Sequence, residues 1–258
     1  MLVFTSDKQR LLTHFQKDPI LFAYHIGDLD DFFFPDCQWA VAYNETARIE
    51  DAVLVYFGGT VPAMVAFGLT TKLPELLREV LEISPRRFNC HFQKQHAGCF
   101  EAFNATSFGT HCKMHLRESD LPPAESDNSI LRLDQSHEPA LADLYQRSYP
   151  GNYFVPRMLE TGKYFGLFES ERLAAVAGVH VDSAQYCIAA LGNITTDPDY
   201  RGRGLARRVT AHLCRELIRE RKMVCLNVKA DNLSAIRCYE KLGFVKTHEY
   251  EEAQFELK

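Results

Sequence analysis

Helical and strand-like hydrophobic patterns alternate along the first 120 residues. Leu11, Leu12 and Phe15 recur at helical spacing after a capping-box pattern that begins at Ser6, which predicts a helix to about Lys17. A second, shorter helix opens at Pro19 and runs through Ile26. The runs rich in valine, aromatic and alternating positions predict strands, and the patterns with a three-to-four residue period predict helices. The further elements predicted here are strands at 37–43, 48–57 and 61–69, a helix at 73–83, a strand at 87–92, a short helix at 97–103 and a strand at 110–117.

The same order of patterns returns in the second half of the chain. Its longest helix should follow residue 204, because Leu205, Val209, Leu213 and Leu217 share one face. The next strand is apolar almost throughout, as expected when both faces of a strand are covered. The elements predicted here are a strand at 130–133, helices at 138–147 and 155–161, strands at 164–168, 172–181 and 186–195, the long helix, a strand at 223–228, a helix at 233–242, and one or two strands in the tail.

A polar, proline-broken stretch separates the two halves. Residues 121–129 carry two prolines and four acidic or serine side chains, which is typical of a linker. The recurrence of one order of elements on both sides predicts an internal structural repeat. We therefore expect an α/β (α+β) fold with two domains, at residues 1–120 and 128–258, each a mixed central sheet flanked by helices.

Composition narrows the classes of function. At 258 residues and 46% hydrophobic, the chain can bury a sizeable core. The net charge of -5 provides no basic field for nucleic acid. No apolar run is long enough to span a bilayer, and the first residues do not resemble an export signal. We expect a cytoplasmic protein, a monomer or homodimer, with neither nucleic acid nor membrane as a partner.

The eight cysteines are scattered and form no C-x-x-C pair, which favours reduced thiols. The segment from Cys90 to His115 is rich in cysteine and histidine. Its spacing matches no zinc pattern, and alternation along a strand would direct Cys90 and His91 to opposite faces. Ordinary packing is favoured over a metal site, and no metal is predicted.

The loop Arg201–Ala206 is the strongest functional signal. Gly202 and Gly204 allow peptide N–H groups to curl around an anion, and the helix that follows adds unpaired N–H groups and the positive end of its dipole. A P-loop needs Gly-Lys followed by Ser or Thr, which is absent. A dinucleotide fingerprint needs a third glycine where Arg207 stands. The loop therefore predicts a phosphate site of another kind.

Two motifs give this region a family resemblance. Arg201, Gly204 and Ala206 match the acyl-CoA signature Q/R-x-x-G-x-G/A, and the stretch from Asn232 to Phe244 matches N-x-x-A-x-x-x-Y-x-x-x-G-F. In this order and spacing they resemble the GNAT acyltransferases, and the wording is nearest to the subgroup related to glycine N-acyltransferase. The resemblance implies tandem GNAT-like folds. The first half has only Gly68 in its corresponding loop, so it is expected to be a degenerate copy without cofactor binding.

The resemblance also implies a site for acetyl-CoA as cosubstrate. Backbone groups of the strand would bind the pantetheine arm, and those of the loop would bind the pyrophosphate. Asn232 would lie near the pantetheine, although it also suits a helix N-cap. The cofactor-binding residues expected in this way are Ile194, Thr195, Thr196, Arg201, Gly202, Arg203, Gly204, Leu205, Ala206 and Asn232.

Tyr239 matches the family tyrosine near the sulfur and is the expected catalytic residue. Its phenol would protonate the departing thiolate, while the plain alternative is a core aromatic side chain. The family's general base is absent, because residues 186–193 contain no acid. His180, Asp182 or a water held by Asn193 stay open as substitutes, as does an amine that needs no base.

The expected function is acyl-CoA-dependent N-acyltransfer, with acetyl passing from acetyl-CoA to a primary amine of a small-molecule or amino-acid-like acceptor. The segment Tyr149–Phe154 would line the acceptor pocket. Two alternatives remain: a non-catalytic acyl-CoA-binding module, and acetylation of a protein amine.

Overall fold

The computed structural model describes residues 2–123, 127–220 and 222–258. The chain forms two compact units. The first consists of Met1–Lys113, Lys229–Asp231 and Thr247–Lys258, and the second consists of Met114–Val228 and Asn232–Lys246. The last twelve residues therefore belong to the first unit, whereas the predicted range 128–258 places them in the second domain. The predicted ranges stay a prediction about domains and differ from these units at the C-terminal strand.

The first half of the chain contains three helices and six strands in the part that the structure describes. These are β1 (Val3–Phe4), α1 (Lys8–Phe15), α2 (Ala23–Gly27), β2 (Cys37–Tyr43), β3 (Ile49–Tyr56), β4 (Ala63–Ala66), α3 (Leu73–Glu82), β5 (Arg87–Phe92) and β6 (Phe103–Leu116).

The second half has a similar order in its described residues, with one α-helix before its run of three strands and a further α-helix between its last two strands. Its elements are β7 (Ile130–Arg132), α4 (Glu138–Ser148), β8 (Phe165–Glu169), β9 (Arg172–Ser183), β10 (Ile188–Thr196), α5 (Leu205–Arg219), β11 (Met223–Lys229), α6 (Leu233–Glu240) and β12 (Phe244–Leu257).

The sheet of the first unit is mixed, with strand order β1-β2-β3-β4-β5-β12-β6. β4 and β5 are parallel, since α3 crosses over between them, and the pairs β2–β3, β3–β4 and β5–β12 are antiparallel. The apolar face of α3, with Leu73, Leu76, Leu77, Val80 and Leu81, is buried in a core shared with Met64 and Phe88. The helix thus forms because its apolar stripe has a sheet to cover.

The sheet of the second unit is also mixed, in the order β11-β10-β9-β8-β7. β10 and β11 are parallel, with α5 as the crossover, and the other pairs are antiparallel. The buried residues of α5 include Leu205, Val209, Leu213 and Leu217, as its pattern predicts. Both units therefore contain strand, helix and parallel strand in the same order, and the predicted α/β class with tandem mixed sheets is confirmed.

Several predicted elements differ in type or length from the observed ones. The predicted helix at 155–161 is a 3₁₀ helix over Pro156–Thr161, and the helix at 97–103 is a 3₁₀ helix over Lys94–Phe100. β6 begins seven residues before its predicted start. The hydrophobic pattern did not predict this part of the strand, because residues 104–108 are exposed and show no hydrophobic alternation. Pairing with a neighbouring strand, rather than burial, makes that segment extended. Residues 124–126 of the predicted linker lie outside the described part of the chain.

The described helices include none whose length and apolar character would let it cross a membrane.

Candidate active site

β10 leaves its parallel neighbour halfway along its length. The register between β10 and β11 begins at Ile188↔Met223 and ends at Leu191↔Leu226, although β10 continues to Thr196. Beyond Leu191 the edge of β10 that faced β11 has no strand partner in the described register. Peptide groups alternate in direction along a strand, and the Asp197 N–H donates to the Ala174 carbonyl of β9 at 2.8 Å, so the Thr195 N–H also faces β9 and the Thr196 N–H faces the vacated edge.

A β-bulge lies where the two strands separate. Between the pairs Gly192↔Gly178 and Thr195↔Val176, β10 advances by three residues and β9 by two, so β10 carries one extra residue. Asn193 occupies the bulge in a left-handed conformation, with φ of 55°. Asparagine tolerates that conformation better than most residues with a side chain.

Two tyrosine hydroxyls form hydrogen bonds with the bulge residue. The hydroxyl of Tyr145, on α4, donates to the Asn193 carbonyl at 3.0 Å. The Asn193 side chain donates through Nδ2 to the hydroxyl of Tyr164 at 2.9 Å, and that hydroxyl donates to the Val179 carbonyl at 3.0 Å. Because Asn193 is 2% exposed, these are buried hydrogen bonds that fix the strand locally.

The two glycines at the bulge give this network its space. A Cβ on Gly178 would lie 2.2 Å from Cε1 of Tyr164, and one on Gly192 would lie 2.3 Å from Cδ2 of His180. Each glycine therefore lets a ring lie directly against a strand backbone. Sequence reasoning gave no role to Tyr145, Tyr164 or these glycines. Glycine inside two apolar strands is the sequence signal that would have predicted a close approach of a side chain to the backbone.

The loop before α5 is an open cradle of N–H groups. Gly202 and Gly204 have φ of 80° and 74°, and a Cβ on either would meet nothing within 4 Å. Gly204 is the N-cap of α5 and contributes no side-chain cap. From Gly202 to Arg207, no backbone N–H has an acceptor among the described residues; the first helical bond runs from the Arg208 N–H to the Gly204 carbonyl. These six donors and the dipole of a fifteen-residue helix suit a phosphate group.

Several guanidinium groups add positive charge around the cradle. Arg201 donates through Nε to the Thr196 carbonyl at 3.3 Å, and Arg203 lies over the ring of Tyr200 at 5.1 Å. Arg201 and Arg203 are exposed, as is Arg207. Leu205 is buried under the helix start, so its side chain anchors the loop while its N–H stays open.

A buried carboxylate anchors the chain between β10 and the cradle. Asp197 is fully buried and accepts from the Asp199 N–H at 3.1 Å, from Nη2 of Arg147 at 2.9 Å and from Nη2 of Arg172 at 2.8 Å. Burial acts to raise the pKa of Asp197, but the Asp199 N–H and the Arg147 guanidinium outweigh it, and the pKa is lowered. Asp197 is therefore an ionised anchor for the loop.

Tyr239 has a buried ring and an accessible hydroxyl. The residue is 8% exposed and packs edge-on against Phe244, with ring centroids 5.9 Å apart. Its hydroxyl makes no hydrogen bond within the described residues, yet it is not sealed from solvent. Burial raises the pKa of this phenol, and Tyr149 adds to the effect on both Tyr239 and Tyr145. Tyr239 therefore stays protonated at neutral pH.

Asn232 is the N-cap of α6, as the sequence suggested as an alternative to a role in pantetheine binding. Its Oδ1 accepts from the Ala235 N–H at 3.2 Å. The amide nitrogen of Asn232 has no acceptor among the described residues, so the capping role leaves a donor available to a ligand.

The candidates for the general base occupy different surroundings. The ring of His180 lies against Gly192 and forms an edge contact with Tyr153, with centroids 6.4 Å apart, so it is beside the bulge. Asp182 instead accepts from Lys222 Nζ at 2.6 Å. Burial raises the Asp182 pKa, with Lys222 opposing, and its pairing partner is Ala189, four residues before the bulge. Of these two residues, His180 alone borders the bulge.

The corresponding loop of the first unit is closed by its own carboxylate. Asp51, which is fully buried, accepts from the Leu69 N–H at 2.9 Å and from the Thr70 hydroxyl. Gln93 accepts from the Gly68 N–H at 3.0 Å. A Cβ on Gly68 would lie 2.7 Å from Oδ1 of Asp51, so glycine here admits an internal anion.

In the segment rich in cysteine and histidine, His91 and His111 share one carboxylate. Their Nε2 atoms lie 3.2 and 3.1 Å from the two oxygens of Glu252. Within the described ranges, no three His, Cys, Asp or Glu side chains are grouped so that they could hold a metal ion.

The described residues thus combine a bulged strand that parts from its parallel neighbour with an open N–H cradle at the start of a helix. The FR47-like protein family model matches residues 164–253. The [ribosomal protein bS18]-alanine N-acetyltransferase of Escherichia coli is 35% identical over 124 residues, which cover 45% of this chain and 80% of that protein. The chain belongs to the GNAT superfamily, and it is an N-acetyltransferase.

Solved structures with the same fold extend over both units. A Drosophila protein is 15% identical with a TM-score of 0.73, covering 98% of this chain and 97% of that chain. A tandem GNAT protein from the clavulanic acid biosynthesis pathway is 12% identical with a TM-score of 0.60, covering 100% of this chain and 99% of that chain. At these identities the likeness concerns the fold alone.

Proposed function

We propose that this protein transfers acetyl from acetyl-CoA to a primary amine, with the amine attacking the thioester directly. The observation that carries the proposal is the run of six open N–H groups from Gly202 to Arg207 at the start of α5. Six converging donors without an internal acceptor favour a ligand with several phosphate oxygens. The pyrophosphate of coenzyme A has that chemistry.

The residues on either side of the cradle fit the rest of the molecule. The backbone groups of Ile194, Thr195 and Thr196, on the unpaired edge of β10, would bind the amides of the pantetheine arm. The free amide nitrogen of Asn232 would bind a further polar atom of that arm. Arg201 and Arg203 would add charge beside the phosphates, and the residues from Gly204 to Ala206 would bind them through their N–H groups.

Acetyl-CoA would supply the acetyl group as a reactive thioester. A peptide N–H on the unpaired edge of β10 would stabilise the negative charge that develops on the carbonyl oxygen. The Tyr239 phenol would give its proton to the departing sulfur, since burial keeps it protonated at neutral pH. The attacking nitrogen would lose its proton to a base at the bulge, and His180 is the side chain we assign there.

The acceptor that we propose is a small-molecule or amino-acid-like amine, bound next to the segment Tyr149–Phe154. Tyr153 of this segment contacts His180, and Phe154 packs on both Tyr145 and Tyr164. The second candidate is an amine of a protein, which the Escherichia coli relative, a [ribosomal protein bS18]-alanine N-acetyltransferase, favours. Both candidates present the same nucleophile.

We propose in addition that the first unit is a degenerate copy that binds no acetyl-CoA. Asp51 supports this proposal, because it occupies the N–H groups that correspond to the cradle. Membership of the subgroup related to glycine N-acyltransferase and residence in the cytoplasm stay predictions.

The cradle can be tested by substitutions at one position. In Gly204→Asp a carboxylate would lie among the N–H groups, while Gly204→Asn has nearly the same size, tolerates positive φ and carries no charge. We expect Gly204→Asp to weaken binding of acetyl-CoA by about 100-fold or more and Gly204→Asn by about tenfold or less, measured by calorimetry. Gly98→Asp, in open space in the first unit, is the matched control. Equal affinity of Gly204→Asp and the wild type would refute the cradle.

The reaction can be tested by release of free thiol from acetyl-CoA. One panel of acceptors should contain small amines and amino acids, and the other should contain peptides with N-terminal alanine. Release with the first panel supports the small acceptor, and release with the second panel alone supports the protein amine. Firm binding of acetyl-CoA without release in either panel would favour the non-catalytic alternative.

A further inference from the structure

Asn193 has a backbone conformation that a strand does not impose. Five non-glycine residues have positive φ in the described chain, namely Ala47, Ser170, Glu171, Cys187 and Asn193. The first four lie in turns between strands, whereas Asn193 lies inside β10. A left-handed residue with a side chain persists in such a place only when its surroundings hold it there.

Two elements hold both ends of this residue. Tyr145 of α4 binds its carbonyl, and Tyr164 binds its side-chain nitrogen. The Tyr164 hydroxyl accepts from Asn193, and its one hydrogen has two acceptors within reach, the Val179 carbonyl of β9 at 3.0 Å and Sδ of Met158 at 3.3 Å. The ring of Tyr164 in turn lies against Gly178, the pairing partner of Gly192. The side chain of Asn193 is thereby tied to the strand on the far side of the bulge.

This network acts on the part of β10 that has left β11. The extra residue of the bulge resets the direction of the peptide groups that follow, from Ile194 to Thr196. The Asn193 Oδ1 is a buried acceptor without a partner in the described residues, so the hydrogen bonds that hold this side chain all run through Nδ2.

We infer that Asn193 is a positioning residue for acetyl transfer: its side chain, held by Tyr164, fixes the left-handed bulge that aims the peptide N–H groups on the vacated edge of β10 at the thioester. This inference rests on the proposed function. It assigns to one buried amide the task of keeping those donors in their productive direction, while Asn193 itself gives no proton to either substrate.

The substitution Asn193→Gly isolates the side chain from the backbone conformation, because glycine adopts positive φ without strain. We expect kcat to fall by about 10- to 100-fold, as misplacement of reacting groups by about 1 Å does. The KM for acetyl-CoA should change by less than about threefold, since the cradle stays intact. The matched control is Glu171→Gly, an exposed left-handed residue whose side chain has no hydrogen bond; its kcat should match the wild type.

Tyr164→Phe removes the partner of the amide and keeps the ring over Gly178. Because both substitutions break the same Asn193–Tyr164 hydrogen bond, the double variant should have about the kcat of the slower single variant. Multiplied losses would show that the two residues act separately, which would overturn the inference. A purely structural role would lower the melting temperature and leave kcat within about twofold, which would overturn it as well.

A second readout is independent of turnover. Hydrogen exchange at the amides of Thr195 and Asp197, which pair with β9 beyond the bulge, should quicken in Asn193→Gly, while exchange at residues 202–207 stays the same. Unchanged exchange at Thr195 and Asp197 would contradict the inference even in a protein that acetylates no tested amine. Absence of thiol release from the wild type, with faster exchange in the variant, would refute the proposed function alone.

Discussion

At the scale of the residue, the site depends on side chains whose surroundings change their chemistry. Tyr239 is an ordinary phenol in the sequence, but burial of its ring raises its pKa, so that it does not ionise at neutral pH. Asn193 is a polar residue in an apolar strand, and buried hydrogen bonds give it a fixed conformation. Burial thus sets the pKa of Tyr239 and the conformation of Asn193, and neither property can be read from the residue type.

The role of Tyr239 predicts a selective effect of Tyr239→Phe. Loss of a general acid should lower kcat by about 100-fold or more, while acetyl-CoA binds as before because the hydroxyl has no hydrogen bond to the protein. Steady-state kinetics and calorimetry would measure the two quantities. Tyr43→Phe, a tyrosine of β2 in the first unit whose hydroxyl also lacks a hydrogen bond, should leave both unchanged. Unaltered turnover in Tyr239→Phe would remove Tyr239 from the reaction.

At the scale of the element, the start of α5 is held in place by the segment before it. The 3₁₀ turn Pro198–Tyr200 connects β10 to the cradle. Asp197, the N-cap of this turn, forms ion pairs with Arg147 of α4 and Arg172 of β9. The open glycine loop is thus bounded by a buried ion cluster on one side and by a helix on the other. A loop that must leave its N–H groups unpaired needs such anchors at its ends.

Asp197→Asn should destabilise the protein strongly, since it leaves two guanidinium groups facing a neutral amide. We expect the free energy of unfolding to fall by about 3 kcal/mol. Asp199→Asn is the matched control, because Asp199 is mostly exposed and its contact with Arg172 contributes less than about 1 kcal/mol. Denaturant titration of the three proteins would compare these values. Similar stability of both variants would show that the buried cluster does not anchor the segment.

A buried histidine in α1 of the first unit should make the stability of the protein depend on pH. His14 of α1 is buried with Nδ1 3.2 Å from the Ile49 carbonyl, and burial, followed by Lys17, lowers its pKa from 6.5 to about 4. Between pH 6.5 and 4, His14 is protonated in the unfolded chain but mostly neutral in the folded chain. The free energy of unfolding therefore falls as the pH falls.

From this residue alone, the free energy of unfolding should drop by about 2 kcal/mol between pH 7 and pH 5. His14→Gln cannot take up a proton, so the variant should lose that part of the pH dependence whatever its stability at pH 7. Thermal or urea unfolding at both pH values would measure it. Parallel curves for the wild type and His14→Gln would contradict the assignment.

At the scale of the whole molecule, one order of elements is used twice with different outcomes. Each unit has a parallel strand pair joined by a helix, but the loop before α3 donates to the Asp51 carboxylate and to Gln93, whereas the loop before α5 is open. Internal side-chain acceptors thus distinguish the first loop from the candidate ligand site.

This difference predicts the stoichiometry of binding. Calorimetry should find one acetyl-CoA per chain, and Gly204→Asp should abolish that one site without revealing another. Two sites of comparable affinity in the wild type would contradict the proposal that the first unit is degenerate.

Much of the fold is readable in the sequence because it depends on local periodicity. The face of α3 and the face of α5 follow from leucine and valine spacing, and β2 and β5 have the predicted bounds. The cradle is readable as well, since positive φ at Gly202 and Gly204 is a property of glycine in a short loop before a helix. The 3₁₀ helix at Pro156–Thr161 was mistaken for an α-helix, because periodicity over six residues does not separate the two.

By itself, the sequence determined the class of fold, the repeat, the motif that identifies the superfamily and the position of the N–H cradle, because each of these depends on residues close together in the chain. Only the tertiary structure decided which unit receives the last strand, that Asp51 closes the first loop, and that Tyr145 and Tyr164 fix Asn193. These contacts join residues far apart in the chain. Their partners are chosen by packing and by the need to satisfy buried polar groups, which no local pattern records.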